Sequence, residues 1–580
     1  RVCGRLAAPA RPHQSAACAR APARVCPSIF AMSDYGAHPE LRKFAPKIGV
    51  LHFEGGAAGA TQGRTHMAGF GYEVVERAVP GLNASSAAAP TTRVRAELRK
   101  AVEELVGLGV KGIAGESYQM WPLQELVAGM ARVPVAMSSL MQIALLVPAH
   151  HTDQTFLIVA AHAERLKLDL GAVLQCRGLQ FSPSRFVILE PTAEELDDPS
   201  KLAGRIKGFE TGDKRIAGAI FDCGKLIKHA DSVRAITTYP VFDQVTCLDY
   251  IISASSDNPY FGTSYGAGAP PVELLTKARR QLMSPSEEYL RLLRSRVNGQ
   301  MKVGILRIDY SYPPIPGDIA CEASYGYKVT FAKVDGLTFE KAQRAALDDQ
   351  IMESFERAVK ALEAEGVVAI TGDCGFMMAY QPYVRTLTKL PVVLSSIIQA
   401  PAMAATHSSS AVFALLTANS STFDKRLLLT QSGINVDLDN WVLVGLQDVP
   451  GFEAVALGEK VLAEKVQPAI AAMCKDLKAR HPTLAGFLLE CTELPHYADE
   501  IRAQTGLPVF DAITLVDYFQ VACCSPPSFS QAVVQGFLGA LDPRVGASAV
   551  AQITVGILGT VVMVPAMAGS AQQRCCCAVS

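Results

Sequence analysis

Short apolar runs recur along the chain, each cut off by an acid, a glycine or a proline, and amphipathic stretches lie between them. "KVGILRI" from Lys302, "GVVAIT" from Gly366, "AVFALLT" from Ala411, "WVLVGL" from Trp441, "AGFLLE" from Ala485 and "LPVF" from Leu507 read as buried strands. They lack the polar alternation of a sheet with one wet face. In "QIMESFERAVKALEAEG", Ile351, Phe355, Val359 and Leu362 fall at spacings of four, four and three, which puts them on one helix face. Gly366 then suits the left-handed position that ends a helix. A second helix is expected over Gly458 to Arg480. Strand and helix alternating this often predict an α/β fold whose parallel sheet is covered on both faces. Ligands in such sheets bind beyond the carboxyl ends of the strands.

The pattern occurs twice. "KIGVLHFEGG" from Lys47 is echoed by "KVGILRIDYS" from Lys302, a shift of 255, and "PVAMSSLMQ" from Pro134 by "PVVLSSIIQ" from Pro391, a shift of 257. "AGAIFDCGKL" from Ala217 returns as "AGFLLECTEL" from Ala485, a shift of 268. Order is kept throughout, so two homologous domains in tandem are expected, residues 46–265 and 301–523, with a linker at 266–300. Residues 1–45 form a basic extension. Residues 1 to 33 hold five arginines and no acid, which fits a transit segment or untranslated sequence ahead of Met32. Residues 524–580 are an apolar, cysteine-containing tail whose uncharged stretch Val545 to Gly569 is long enough for a membrane helix, though a disordered tail is the stronger reading. After "VDYFQ" the second copy departs from the first, so it is expected to lack a last strand or turn.

Charge narrows the ligand class. With 54 basic and 55 acidic residues the chain carries no field that would recruit nucleic acid or an anionic membrane. A small neutral or zwitterionic ligand fits better. Fifteen cysteines are present, six of them near the two ends (Cys3, Cys18, Cys26, Cys575, Cys576 and Cys577), and none shows zinc-site spacing. Mostly free thiols in a reducing compartment, cytoplasm or plastid, are expected.

Two of these cysteines stand out. Cys374 follows the strand "GVVAIT" and Cys491 follows "AGFLLE", so both stand at carboxyl strand ends. A helix starting there would lower a thiol pKa towards neutrality. Two facing thiols supply one base and one acid for proton abstraction beside a carboxylate. A disulfide is the rival use of the same proximity.

These residues carry a resemblance. The paired cysteines, with "CTE" at the second, resemble the aspartate/glutamate racemase superfamily. "GILRIDYSYPPIPGD", "VDGLTFEKAQ", "ITGDCGFMM" and "LLECTELP" are together similar to the Alma-type algal dimethylsulfoniopropionate lyases. The resemblance implies two tandem racemase-like domains, each of two similar α/β lobes around an interlobe cleft. It also implies a homo-oligomer that cleaves the sulfonium carboxylate to dimethyl sulfide and acrylate without metal or organic cofactor. Cys374 and Cys491 carry over as the active thiols, Cys491 as base and Cys374 as acid or positioning group. Thr492 is the expected hydrogen-bond donor to the substrate carboxylate, and Asp309 or Tyr310 is expected to meet the sulfonium. His496 is expected at the surface.

Where general racemases carry an Asn-Thr pair after the first cysteine, this chain has Gly375-Phe376, which argues against an amino-acid substrate. In the first copy Cys223 matches Cys491, but Ser117 replaces Cys374. A serine hydroxyl is too weak an acid for proton exchange without an activating base. The first domain is therefore expected to be degenerate. A racemase or isomerase, and a non-catalytic interaction protein, are the alternatives to a lyase.

Overall fold

The computed structural model describes residues 46–55, 73–175, 181–211, 216–258 and 302–523, apart from residues 223, 238, 257, 326, 427–428 and 430–435. The basic extension, the linker and the apolar tail lie outside the described residues. No helix among the described residues is long and apolar enough to cross a membrane.

Sixteen described strands form four parallel sheets of four. The first half contains β1 (Lys47–His52), β2 (Glu73–Ala78), β3 (Val110–Gly115) and β4 (Val135–Ala136), in the order β2-β1-β3-β4. Its second sheet, β6-β5-β7-β8, is built from β5 (Thr155–Val159), β6 (Phe186–Leu189), β7 (Ile216–Phe221) and β8 (Val241–Phe242). The second half repeats both. β9 (Lys302–Arg307), β10 (Lys328–Lys333), β11 (Val367–Gly372) and β12 (Val392–Val393) are ordered β10-β9-β11-β12. β13 (Val412–Thr417), β14 (Trp441–Gly445), β15 (Leu484–Leu489) and β16 (Val509–Phe510) are ordered β14-β13-β15-β16. Each half is thus the expected pair of similar α/β lobes.

Local chemistry explains the elements. The helix Asp349–Ala364 starts where the Asp348 carboxylate accepts the Ile351 N–H at 2.9 Å, and it ends before Gly366, whose φ is +73°. Its expected face, Ile351, Phe355, Val359 and Leu362, is buried against the sheet. The second expected helix is shorter than Gly458 to Arg480. Gly458 sits at φ +69° and ends a turn over Ala454–Leu457, and the helix begins only at Ala463. A left-handed residue cannot open a right-handed helix. The last strand or turn expected to be missing after "VDYFQ" falls beyond Cys523, outside the described residues. β16 and the helix Ala512–Cys523 match β8 and Gln244–Ser255.

The two copies pack through reciprocal contacts. Tyr250 Oη donates to Gln399 Oε1 at 3.0 Å, and Tyr518 Oη donates to Gln142 Oε1 at 3.0 Å. Gln124 Nε2 donates to the Ala405 carbonyl at 2.9 Å, and Gln381 Nε2 to the Pro148 carbonyl at 3.1 Å. Ring pairs repeat the rule: Phe242 stacks on Tyr518 and Tyr250 tilts against Phe510, both at 5.5 Å. Residue i of one copy meets residue j of the other, and j meets i, which is the signature of two-fold association. The tandem halves therefore form a pseudo-dimer within one chain.

Candidate active site

In the second copy the carboxyl ends of β9, β11, β13 and β15 converge on one cavity. Ile308, Tyr310 and Tyr312 enter after β9, Asp373 to Phe376 after β11, Ala418 after β13 and Glu490 to Glu493 after β15, with Phe339 and Val455 completing the wall. Cys374 comes from one lobe and Cys491 from the other. Both are buried free thiols lining the same space. The cavity is small, about 20 Å³, room for roughly one water. Across it, Tyr310 Oη donates to the Val455 carbonyl at 2.6 Å and ties the two lobes together.

Carboxylates crowd the thiols. Cys491 Sγ donates to Glu493 Oε2 at 2.6 Å. Asp373 Oδ1 accepts the Ile308 N–H at 2.9 Å, while Oδ2 pairs with Arg307 Nε at 3.2 Å. Glu490 is buried beside both thiols. Burial is the main cause of every shift here. It pushes Asp373 up to about 7 and Glu490 up to about 8, and it raises Glu493 too.

The thiols shift against expectation. Burial first, then the charges of Glu490, Asp373 and Glu493 at Cys374 and of Glu493 and Glu490 at Cys491, drive both thiols well above the ordinary range. Cys374 leads into a short 3₁₀ turn, Gly375–Tyr380, and Cys491 stands just ahead of another, Leu494–Tyr497. Neither turn supplies the long aligned dipole that would lower a thiol pKa, and the carboxylates oppose what little it gives. Both thiols are therefore protonated until something takes the proton. Glu493 is in position to do so for Cys491.

The other expected residues divide. Tyr310 lines the cavity, with its ring 5.8 Å from Phe339 and 6.0 Å from Tyr312. Asp309 does not. Its carboxylate turns outward to the Gly336 N–H at 3.0 Å and to Lys333 at 3.2 Å, contacts that lower its pKa. Thr492 lines the cavity, but its hydroxyl proton goes to the Asp373 carbonyl at 2.6 Å. That bond joins the two cysteine-bearing turns, and donation to a carboxylate would require exchanging it. His496 faces solvent, with Nδ1 2.6 Å from the Pro316 carbonyl.

In the first copy Cys223 lies outside the described residues. Ser117 follows β3 as Cys374 follows β11, and the preceding Glu116 pairs with His52 Nδ1 at 2.8 Å where Asp373 pairs with Arg307. Sequence reasoning misses Asp373, Glu490 and Glu493. The signal is present in "ECTE", where two acids flank a thiol at a strand end. Among the described residues no group of three or more His, Cys, Asp or Glu is arranged to hold a metal ion.

No family model matches the chain. Among solved structures, an aspartate racemase homologue from Pyrococcus horikoshii OT3 is 16% identical with a TM-score of 0.26, over 38% of this chain and 98% of that one, a likeness too slight to weigh. Sequence relatives are much nearer. Dimethylsulfoniopropionate lyase 7 of Emiliania huxleyi (strain CCMP1516) is 39% identical over 266 residues, 45% of this chain and 77% of that protein. A dimethylsulfoniopropionate lyase of Durusdinium sp. clade D is 40% identical over 230 residues, 39% of this chain and 76% of its own length. Dimethylsulfoniopropionate lyase 5 of Emiliania huxleyi (strain CCMP1516) is 35% identical over 462 residues, 74% of this chain and 89% of that protein, which extends the match across both copies. With its paired thiols at strand ends and a relative matched along nearly its whole length, the chain belongs to the dimethylsulfoniopropionate lyase family.

Proposed function

We propose that the chain is a carbon-sulfur lyase that splits dimethylsulfoniopropionate into dimethyl sulfide and acrylate, and that the cleft of residues 301–523 carries the reaction. The observation that supports this best is the placement of Cys374 and Cys491 in one buried cavity, with Cys491 hydrogen-bonded to Glu493. In this reading ionised Glu493 takes the Sγ proton of Cys491, and the thiolate accepts the proton from the carbon beside the substrate carboxylate. The electron pair left there forms the double bond of acrylate as the carbon-sulfur bond breaks. Dimethyl sulfide departs with the bonding pair as a neutral molecule and needs no proton of its own. One proton then returns to solvent. Cys374, on the opposite wall, positions the substrate or steadies the developing charge.

The first copy, with Ser117 in place of a thiol, serves packing in this reading. The test is headspace measurement of dimethyl sulfide from the full chain and its Cys491→Ala variant. Loss of a general base lowers such rates by about 10²- to 10⁴-fold. Wild-type release that persists in the variant would overturn the assignment of Cys491, and a folded wild type that releases nothing would overturn the lyase reading.

A further inference from the structure

Glu490 has no part in the proton transfers of the lyase reaction, yet it lines the cavity. It is 1% exposed, and neither carboxylate oxygen has a hydrogen-bond partner. The Thr417 hydroxyl lies close enough to steady it but outside hydrogen-bond geometry. An unpaired buried carboxylate is costly, and it is relieved by a cation or by a proton. Its neighbours are already engaged: Asp373 with Arg307 and the Ile308 N–H, Glu493 with the Cys491 thiol. Asp318 Oδ2 is also unpartnered, but Asp318 does not line the cavity.

The first copy shows how this position looks when satisfied. There Asp222 accepts the Ser138 hydroxyl, the Ser139 hydroxyl and the Tyr118 N–H, each at 2.7 Å. In the second copy the corresponding serines keep the contacts their counterparts also make, Ser396 donating to the Leu489 carbonyl at 2.6 Å as Ser139 does to Phe221 at 3.0 Å, and Ser395 accepting the Ile397 N–H at 3.3 Å as Ser138 does that of Leu140 at 3.1 Å, but neither bonds Glu490. Gly375 stands where the first copy has Tyr118, and a Cβ there would lie 2.0 Å from Glu490 Oε1. Two paired changes, Asp to Glu and Tyr to Gly, thus carry a carboxylate out of a serine-lined socket and into the cleft. The rings of Tyr310, Tyr312 and Phe339 share that cleft and suit a soft cation.

We propose that Glu490 is the carboxylate that receives the onium cation of the substrate, so that the cleft selects carboxylic acids bearing a sulfonium or quaternary ammonium group over neutral acids of the same shape. This rests on the lyase reading and names the residue that sets its substrate class. The probes are 3-(trimethylammonio)propanoate and its uncharged isostere 4,4-dimethylpentanoate, titrated into the full chain by calorimetry. The wild type should bind the ammonium compound about tenfold or more tightly than the isostere, the range expected for a contact to a charged group. Glu490→Gln should erase that preference without weakening the isostere. Equal binding by the wild type, or a preference kept in the Gln variant, would overturn the proposal. If the Gln variant does not fold, Glu490→Asp draws the carboxylate back towards Ser395 and Ser396 and must also reduce the preference. Dimethyl sulfide release separates the two ideas. A cation preference without release sinks the lyase reading alone, and release with an unchanged preference in Glu490→Gln sinks this one alone.

Discussion

Glu490 and Asp373, both buried, and the half-buried Asp517 are carboxyls whose desolvation raises them to about 8, 7 and 7. In the unfolded chain they ionise near pH 4. The folded state therefore binds more protons, and their contribution is fullest at low pH and drains away as pH rises through 7 and 8. His150 works the other way. Burial lowers it to about 4, so it costs stability only below pH 6.5, where the unfolded chain takes up its proton. Between pH 6.5 and 8 the carboxyls act without that opposition. Urea unfolding is expected to lose roughly 3 kcal/mol across this interval, and Glu490→Gln should flatten about half of the fall. An unchanged slope in that variant would mean that Glu490 ionises like an exposed acid.

Among the elements, the segments after β9 and β14 decide access. Tyr310 follows β9 and Val455 follows β14, so their hydrogen bond spans the two lobes at a cavity too small for the proposed substrate. Entry therefore requires that bond to break. Gly458 holds the partner segment at φ +69°, and a Cβ there would lie 3.1 Å from the Ser311 carbonyl and 3.3 Å from Tyr310 Oη. Tyr310→Phe keeps the ring and removes the bond, which is worth about 1 kcal/mol. Because entry no longer has to break it, kcat/KM is expected to rise by a factor of up to about five, read by steady-state dimethyl sulfide release, while folding stability falls by about the same 1 kcal/mol. A kcat/KM equal to the wild type would show that closure does not depend on this bond.

The secondary structure near this site is readable from periodicity, because burying both sheet faces demands continuous apolar runs. The start of the helix at 463–480 is not, because one glycine's backbone angle, invisible to hydropathy, breaks the pattern. Asp309 has the position of a site residue because it follows a strand. One turn of backbone sends its side chain to Lys333 instead.

At the scale of the whole molecule, the first copy occupies the place a second subunit would take. Its contacts with the second copy are reciprocal, including Arg234 Nε to the Ala522 carbonyl at 3.0 Å and Arg502 Nη1 to the Ala254 carbonyl at 3.5 Å. A face that complements its own relative is close to complementing itself. Residues 301–523 expressed alone would expose Gln381, Gln399, Tyr518 and Phe519, and they are expected to self-associate through that face. Sedimentation of this fragment should give a dimer that Tyr518→Ala weakens. A monodisperse folded monomer would contradict the expectation.

The duplication, the four sets of strands and the two thiols at strand ends are written in the chain itself, since each depends on local order and residue type. Packing alone could decide which way the thiols titrate, because that depends on how many carboxylates are buried with them and how little water remains. Packing also sent Asp309 outward and Glu490 inward and joined the repeats as a pseudo-dimer, since desolvation and pairing belong to neighbours distant in sequence.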